Sequence, residues 1–173
     1  AFCKEKSELI DYEVGYFGSY SSNVRDIMPL YNALKNMPYK SIIVGNGDQH
    51  IESVNNLTVL PRATVDEVAE LEKHTRILSC VCNKLSKDGE TGCIPGKTYH
   101  YGSSTKEVLV IGATPKVEEF LRKYQRYIFV KNDSDSIINT INNLLFEDMK
   151  EQKPLAECLP VNAAKKLLDY ISN

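Results

Sequence analysis

The chain has 173 residues, 42% of them hydrophobic and 25% charged, which fits one soluble globular domain with a sizeable core. A formal net charge of −2 excludes a broad basic field, so neither nucleic acid nor anionic lipid is an expected partner of this domain. There is no run of about 20 apolar residues to span a bilayer, and the opening AFCKEKSELIDYE is too charged for a signal peptide, so a cytoplasmic location is expected.

Residues 1–11 read as a linker or frayed end. Glu13 to Phe17 is predicted as the first strand, ending at Gly18-Ser19. A helix follows with Ile27, Leu30, Leu34 and Met37 on one face. Pro29 restricts where that helix can begin, which makes Asp26 the expected N-cap and sets Arg25 at the helix mouth. Ser41 to Val44 is the second strand, followed by Gly45-Asn46-Gly47 and an irregular stretch over 48–56. Leu57 to Leu60 is a short third strand. Thr64 and Glu67 form a capping box, with Val65, Val68 and Leu71 as the apolar face of the helix behind it.

Ile77 to Cys82 is predicted as the fourth strand, and the polar loop from Asn83 to Gly89 is of the kind that closes over ligands. Pro95 is expected near the first position of a short helix, leaving the amides of Gly96, Lys97 and Thr98 without intrahelical partners. Val108 to Ile111 is the fifth strand. Thr114-Pro115 opens a helix carrying Val117, Phe120, Leu121 and Tyr124, and Tyr127 to Val130 is the sixth strand. Ser134 or Asp133 caps a helix with Ile137, Ile138, Ile141, Leu144 and Leu145, and a terminal helix follows Pro160. The five cysteines form no CxxC pair, and Cys80 and Cys82 alternate within one strand, so reduced packed thiols are expected and no metal site.

Strands and helices alternate throughout, which predicts an α/β fold with a Rossmann-like, doubly wound, six-stranded parallel sheet. Ligands of such sheets lie beyond the carboxyl ends of the strands, near the switch in strand order. The loops after strands one, two, four and five should therefore share a rim, bringing Gly18, Ser19, Arg25, Asn46, Gly47, Gly96 and Lys97 to one edge. Glycines, free amides and two cations in one place suit a diphosphate. The dinucleotide fingerprint fails, because His50 stands where a third glycine should follow Gly45-Asn46-Gly47, and no GxxxxGK[ST] loop exists.

The ordered run VGYFGS, NVRDIMPLYNAL, SIIVGNG, NLTVLPRATVDEVAEL, RILSCVCN, IPGKTYHY and VLVIGA resembles the C-terminal half of a GT-B glycosyltransferase, over roughly residues 12–146. The nearest pattern is that of the large retaining group 1 family, many of whose members build bacterial surface polysaccharides. The resemblance implies a domain that binds a nucleoside-diphosphate sugar as substrate, with no separate cofactor and no bound metal. The acceptor, a glycan or lipid-linked sugar, would sit on a preceding domain, which allows peripheral membrane association through that half. Arg25 matches a basic position that contacts phosphate, although many relatives also carry Arg or Lys where this chain has Ser19; Lys97 lies on the helix that faces the donor, and both are expected to act catalytically by stabilising the departing diphosphate, which Gly18 and Ser19 would approach through their backbone. Arg62 matches a nucleobase-contacting position, while Asn46, Gly47, Ile94, Gly96 and Thr98 complete the implied donor site.

Two departures stand out. His100 occupies the place of a glutamate that accepts both ribose hydroxyls, and Gly92 replaces a second glutamate, leaving Glu90 two residues off register. These changes leave open a degenerate, non-catalytic sugar-nucleotide-binding domain, or a sugar-nucleotide epimerase of the same architecture.

Overall fold

The computed structural model describes residues 9–84, 93–148 and 152–171. Its centre is a six-stranded sheet in the order β3-β2-β1-β4-β5-β6, with every adjacent pair parallel. The strands are β1 (Tyr12–Phe17), β2 (Ser41–Val44), β3 (Leu57–Leu60), β4 (Thr75–Val81), β5 (Glu107–Ile111) and β6 (Tyr127–Val130). They match the predicted strands to within two residues, and the fold is the expected Rossmann-like α/β arrangement.

Side chains alternate across the pleat, so each strand feeds two cores. Val14, Ile43, Ile77, Leu109 and Ile111 face one side, where α1 (Met28–Asn36) and α5 (Ser134–Phe146) cover them with Leu30, Leu34, Ile137 and Ile141. Phe17, Ile42, Leu78, Val108 and Val110 face the other, under α2 (Val65–Lys73), α3 (Gly96–Gly102) and α4 (Pro115–Leu121). A sheet buried on both faces needs near-continuous apolar strands, and SIIV, TRILSCV and EVLVI supply them. The link from β2 to β3 carries no helix, as expected for 48–56.

Helix starts follow the sequence closely, with three corrections. The Thr64–Glu67 capping box forms as predicted, and Asp133 rather than Ser134 caps α5 by accepting the Ser136 amide. Asp26 is not the N-cap of α1: Ile27 holds that position without a side-chain cap, and Asp26 Oδ1 reaches past it to the Met28 amide at 3.0 Å. Pro95 is the N-cap of α3 rather than its first residue, because its ψ of 128° is extended. Val65 does not join the apolar contact face of α2, since it is 85% exposed, whereas Val68 and Leu71 do pack on the sheet.

Beyond α5 the chain returns through a 3-10 turn (Ala156–Cys158) to α6 (Pro160–Ile171). This return is pinned by backbone bonds from Gln152 to Thr105 and from Leu155 to Gly102, and by the buried Arg126 guanidinium, which donates to the carbonyls of Tyr101, Ser104 and Lys153. No helix among the described residues is long and apolar enough to cross a membrane.

Candidate functional site

The order 3-2-1-4-5-6 reverses direction between β1 and β4, so the loops after these strands diverge and leave a crevice at their carboxyl ends. A cavity of about 650 Å³ opens there, bounded by the ends of β1 and β2, the β3–α2 loop, and α2 and α3. Seven of the predicted site residues line it: Gly18, Ser19, Asn46, Arg62, Gly96, Lys97 and His100. A smaller cleft of about 100 Å³ straddles the switch point and shares Gly18, Gly96 and Lys97 with the cavity. Arg25 lines this cleft, opposite the start of α3, so the two predicted cations converge on one space.

The turn after β1 is tightly built. Tyr16 donates its hydroxyl to the Ser19 carbonyl at 2.7 Å, and burial holds its pKa well above the usual phenol value. The same carbonyl accepts Arg25 Nη1 at 3.4 Å, while Arg25 Nη2 donates to Asn83 Oδ1 at 2.9 Å. Both partners are neutral, and among the described residues the buried Nε of Arg25 has no partner. Gly45 is obligatory here, because a Cβ would lie 1.9 Å from the Gly18 carbonyl oxygen. Asn46 accepts the Arg62 amide at 2.9 Å and so ties the β3–α2 loop to the end of β2.

Gly96 is a glycine of a different kind. A Cβ on it would meet nothing within 4 Å, so no packing of the fold requires its absence, and it stands on the wall shared by cavity and cleft. Cys80 forms part of the cleft floor, and burial pushes its thiol up to about 11, which leaves it protonated and a poor nucleophile at neutral pH.

Not every predicted residue joins the site. Gly47 packs against Tyr20, bridged to it in the backbone, with the Tyr20 carbonyl 2.2 Å from where a Cβ would be. Ile94 packs on the α2–α4 side of the core. Thr98 is fully buried, and both its hydroxyl and its amide donate to the Pro95 carbonyl, so its amide is not free as expected. Glu90 and Gly92 lie outside the described residues, as do positions 85–89 of the predicted polar loop.

One residue was missed. Glu72, on α2, is only 8% exposed and lines the cavity. Its Oε1 receives Lys97 Nζ at 2.9 Å and its Oε2 lies 2.7 Å from His100 Nε2. Burial disfavours its charge, but the bonds from His100 and Lys97 outweigh that and hold the carboxyl below the ordinary glutamate value. The signal lay in helical spacing: Val65, Val68, Ala69 and Glu72 stand at i, i+3, i+4 and i+7, and all four line the cavity. The apolar stripe of α2 is thus divided between core and cavity wall.

The site offers an apolar wall, a buried carboxylate with two donors already on it, and a cleft holding a guanidinium that has no counter-charge among the described residues. A scan against protein-family models and a search of curated proteins both found no match to this chain.

Proposed function

We propose that this domain binds a nucleoside-diphosphate sugar, and that it serves as the donor-binding half of a retaining GT-B glycosyltransferase whose acceptor site lies on a preceding domain. The observation that carries the reading is the convergence of Arg25 and Lys97 on one cleft at the switch point, joined to a cavity of nucleoside size. In this reading the nucleoside occupies the cavity, with Arg62 at its base end, and the diphosphate enters the cleft. As the sugar–phosphate bond breaks, negative charge grows on the departing diphosphate. The Arg25 guanidinium, whose partners among the described residues are neutral oxygens, is available to stabilise it. Gly96 lets the α3 backbone approach the phosphates without a side chain between.

The reading is tested by calorimetric titration with nucleoside diphosphates and their sugars, followed by assay of sugar transfer. Binding by the wild-type protein, weakened about tenfold or more by Arg25→Ala, is the expected result. No binding, or binding indifferent to Arg25, rejects it.

A non-catalytic sugar-nucleotide-binding domain is favoured by one observation. Lys97 already has Glu72 as its counter-ion, which reduces the positive charge it can direct at a leaving group. Binding without transfer would select this second reading.

A further inference from the structure

Resting on the nucleotide-binding reading above, we propose that Asn83 is the positioning residue of the diphosphate cleft: it aims the Arg25 guanidinium through a neutral oxygen, so that the positive charge is held in place and left for a phosphate.

The bond joins the two strands at the switch point. Arg25 lies in the loop after β1, and Asn83 stands just beyond β4, 58 residues further along the chain. Asn83 is carried by the sheet, because the Cys82 amide before it still donates to the Ile111 carbonyl of β5 at 2.9 Å. A guanidinium only donates, so the amide must turn its oxygen toward it, and Asn83 Oδ1 accepts Arg25 Nη2 at 2.9 Å. The other bond of Arg25 is long, 3.4 Å from Nη1 to the Ser19 carbonyl, and that carbonyl already accepts the Tyr16 hydroxyl at 2.7 Å. Among the described residues, Asn83 is therefore the closest polar partner fixing the direction of a side chain with much rotamer freedom to lose.

The surroundings engage nearby carboxylates elsewhere. Asp26 follows Arg25 in sequence, yet its Oδ1 accepts the Met28 amide at 3.0 Å and Gln49 Nε2 at 2.6 Å, and its Oδ2 pairs with Lys84 Nζ at 3.1 Å. Asp48 accepts the amide and the hydroxyl of Ser22 at 2.8 and 2.9 Å. Lys84 thus occupies the acid beside Arg25 while its neighbour Asn83 offers the guanidinium a neutral acceptor. A carboxylate in that place would accept the same bond and cancel the charge. The competing role for Asn83 is a strap that closes the β1–α1 loop onto β4. That loop is closed by other bonds: the Lys84 amide to the Val24 carbonyl at 2.6 Å, Lys84 Nζ to the Ser22 carbonyl at 2.7 Å, and two backbone bonds of 2.9 Å exchanged by Ser21 and Arg25. A strap also has no need of a neutral acceptor.

The experiment measures dissociation constants of UDP, ADP and GDP by calorimetry, with a thermal melt of each protein, for the wild type, Arg25→Ala, Asn83→Ala, the double variant and Asn83→Asp. Asn83→Ala is expected to weaken nucleoside diphosphate binding by about threefold to tenfold, and to add less than about twofold once Arg25 is gone. Asn83→Asp is expected to weaken it by about tenfold or more while melting no lower than the wild type. A strap would not move affinity and stability apart in this way. Wild-type affinity in either Asn83 variant overturns the inference. So does an equal loss from Asn83→Ala with and without Arg25, or an Asn83→Ala that no longer melts cooperatively. Each of these leaves the nucleotide reading standing where the wild type binds and Arg25→Ala weakens the binding. Failure of all three nucleotides to bind the wild type, or binding indifferent to Arg25, overturns both.

Discussion

The Lys97 ammonium lies 2.9 Å from Oε1 of Glu72, so the cation facing the cavity arrives with its counter-charge in place. Glu72 is 10% exposed by side chain and Lys97 36%, so the pair is neither fully dry nor fully solvated. Removing the lysine alone leaves a carboxylate that burial disfavours and only His100 to support it. Lys97→Met is expected to cost about 1–2 kcal/mol, below the 3–5 typical of fully buried pairs because solvent screens the lysine end. Urea unfolding of Lys97→Met, Glu72→Gln and the double variant measures this. A coupling energy near zero would mean the pair is a surface contact only.

The same carboxylate gives a pH signature. The folded-state pKa of Glu72 is depressed, its burial being outweighed by the His100 and Lys97 bonds. The associated stability is therefore fully present above the unfolded value of about 4.3 and is lost as pH falls through the lower folded value. Other depressed carboxyls, including Asp26 and Asp133, titrate in the same window, so the wild-type slope belongs to several groups. The difference between wild type and Glu72→Gln isolates one of them. The variant should show a shallower loss of stability from about pH 5 downward, read from unfolding midpoints at fixed ionic strength. Parallel curves would contradict the ion-pair geometry.

Two glycines on the same rim should respond in opposite ways. Gly45→Ala drives a Cβ to within 1.9 Å of backbone oxygen that cannot move aside, and a loss of about 3 kcal/mol is expected. Gly96→Ala meets nothing within 4 Å and removes unfolded-state freedom, so stability should hold or rise by about 0.5 kcal/mol. Its methyl nonetheless stands on the wall shared by cavity and cleft, so affinity for nucleoside diphosphates should fall. Thermal melts and titrations on both variants check the contrast. A destabilised Gly96→Ala would mean that the glycine serves the fold rather than a ligand.

The strands were legible because their burial on both faces writes itself as continuous apolar runs, and the Thr64–Glu67 cap because its two partners are three residues apart. Pro95 was misread by one position: its fixed φ is compatible with both the cap and the first helical residue, and only ψ separates them. Glu72 was invisible for a physical reason. Within VDEVAELEK it is one of four acidic residues on a charged helix, and only the approach of α3, 25 residues later, shows which of them is enclosed. Likewise Thr98 looked free because residue type alone does not announce the local turn in which the Pro95 carbonyl satisfies both its donors. Strand order was equally silent, since pairing partners are chosen by packing across the sheet rather than along the chain.

Arg126 offers a test of how the C-terminal return is held. It is 2% exposed, and its guanidinium donates to the carbonyls of Tyr101 and Ser104, at the end of α3, and of Lys153. Burial disfavours its charge and lowers its pKa from the usual arginine value. The Tyr101 carbonyl also accepts from the amide and hydroxyl of Ser104, so it is at the carbonyls of Ser104 and Lys153 that the arginine's bonds count most. Arg126→Met preserves much of the packing but removes the guanidinium's bonds to the Ser104 and Lys153 carbonyls, and a loss of about 1–3 kcal/mol is expected. Because Lys153 is one of the three anchors, the segment from 152 onward should open before the sheet does. Limited proteolysis should then cleave the variant near residue 153 while leaving the first 148 residues intact. Cleavage distributed across the whole chain would show instead that Arg126 supports the sheet itself, through β6, and not the returning segment.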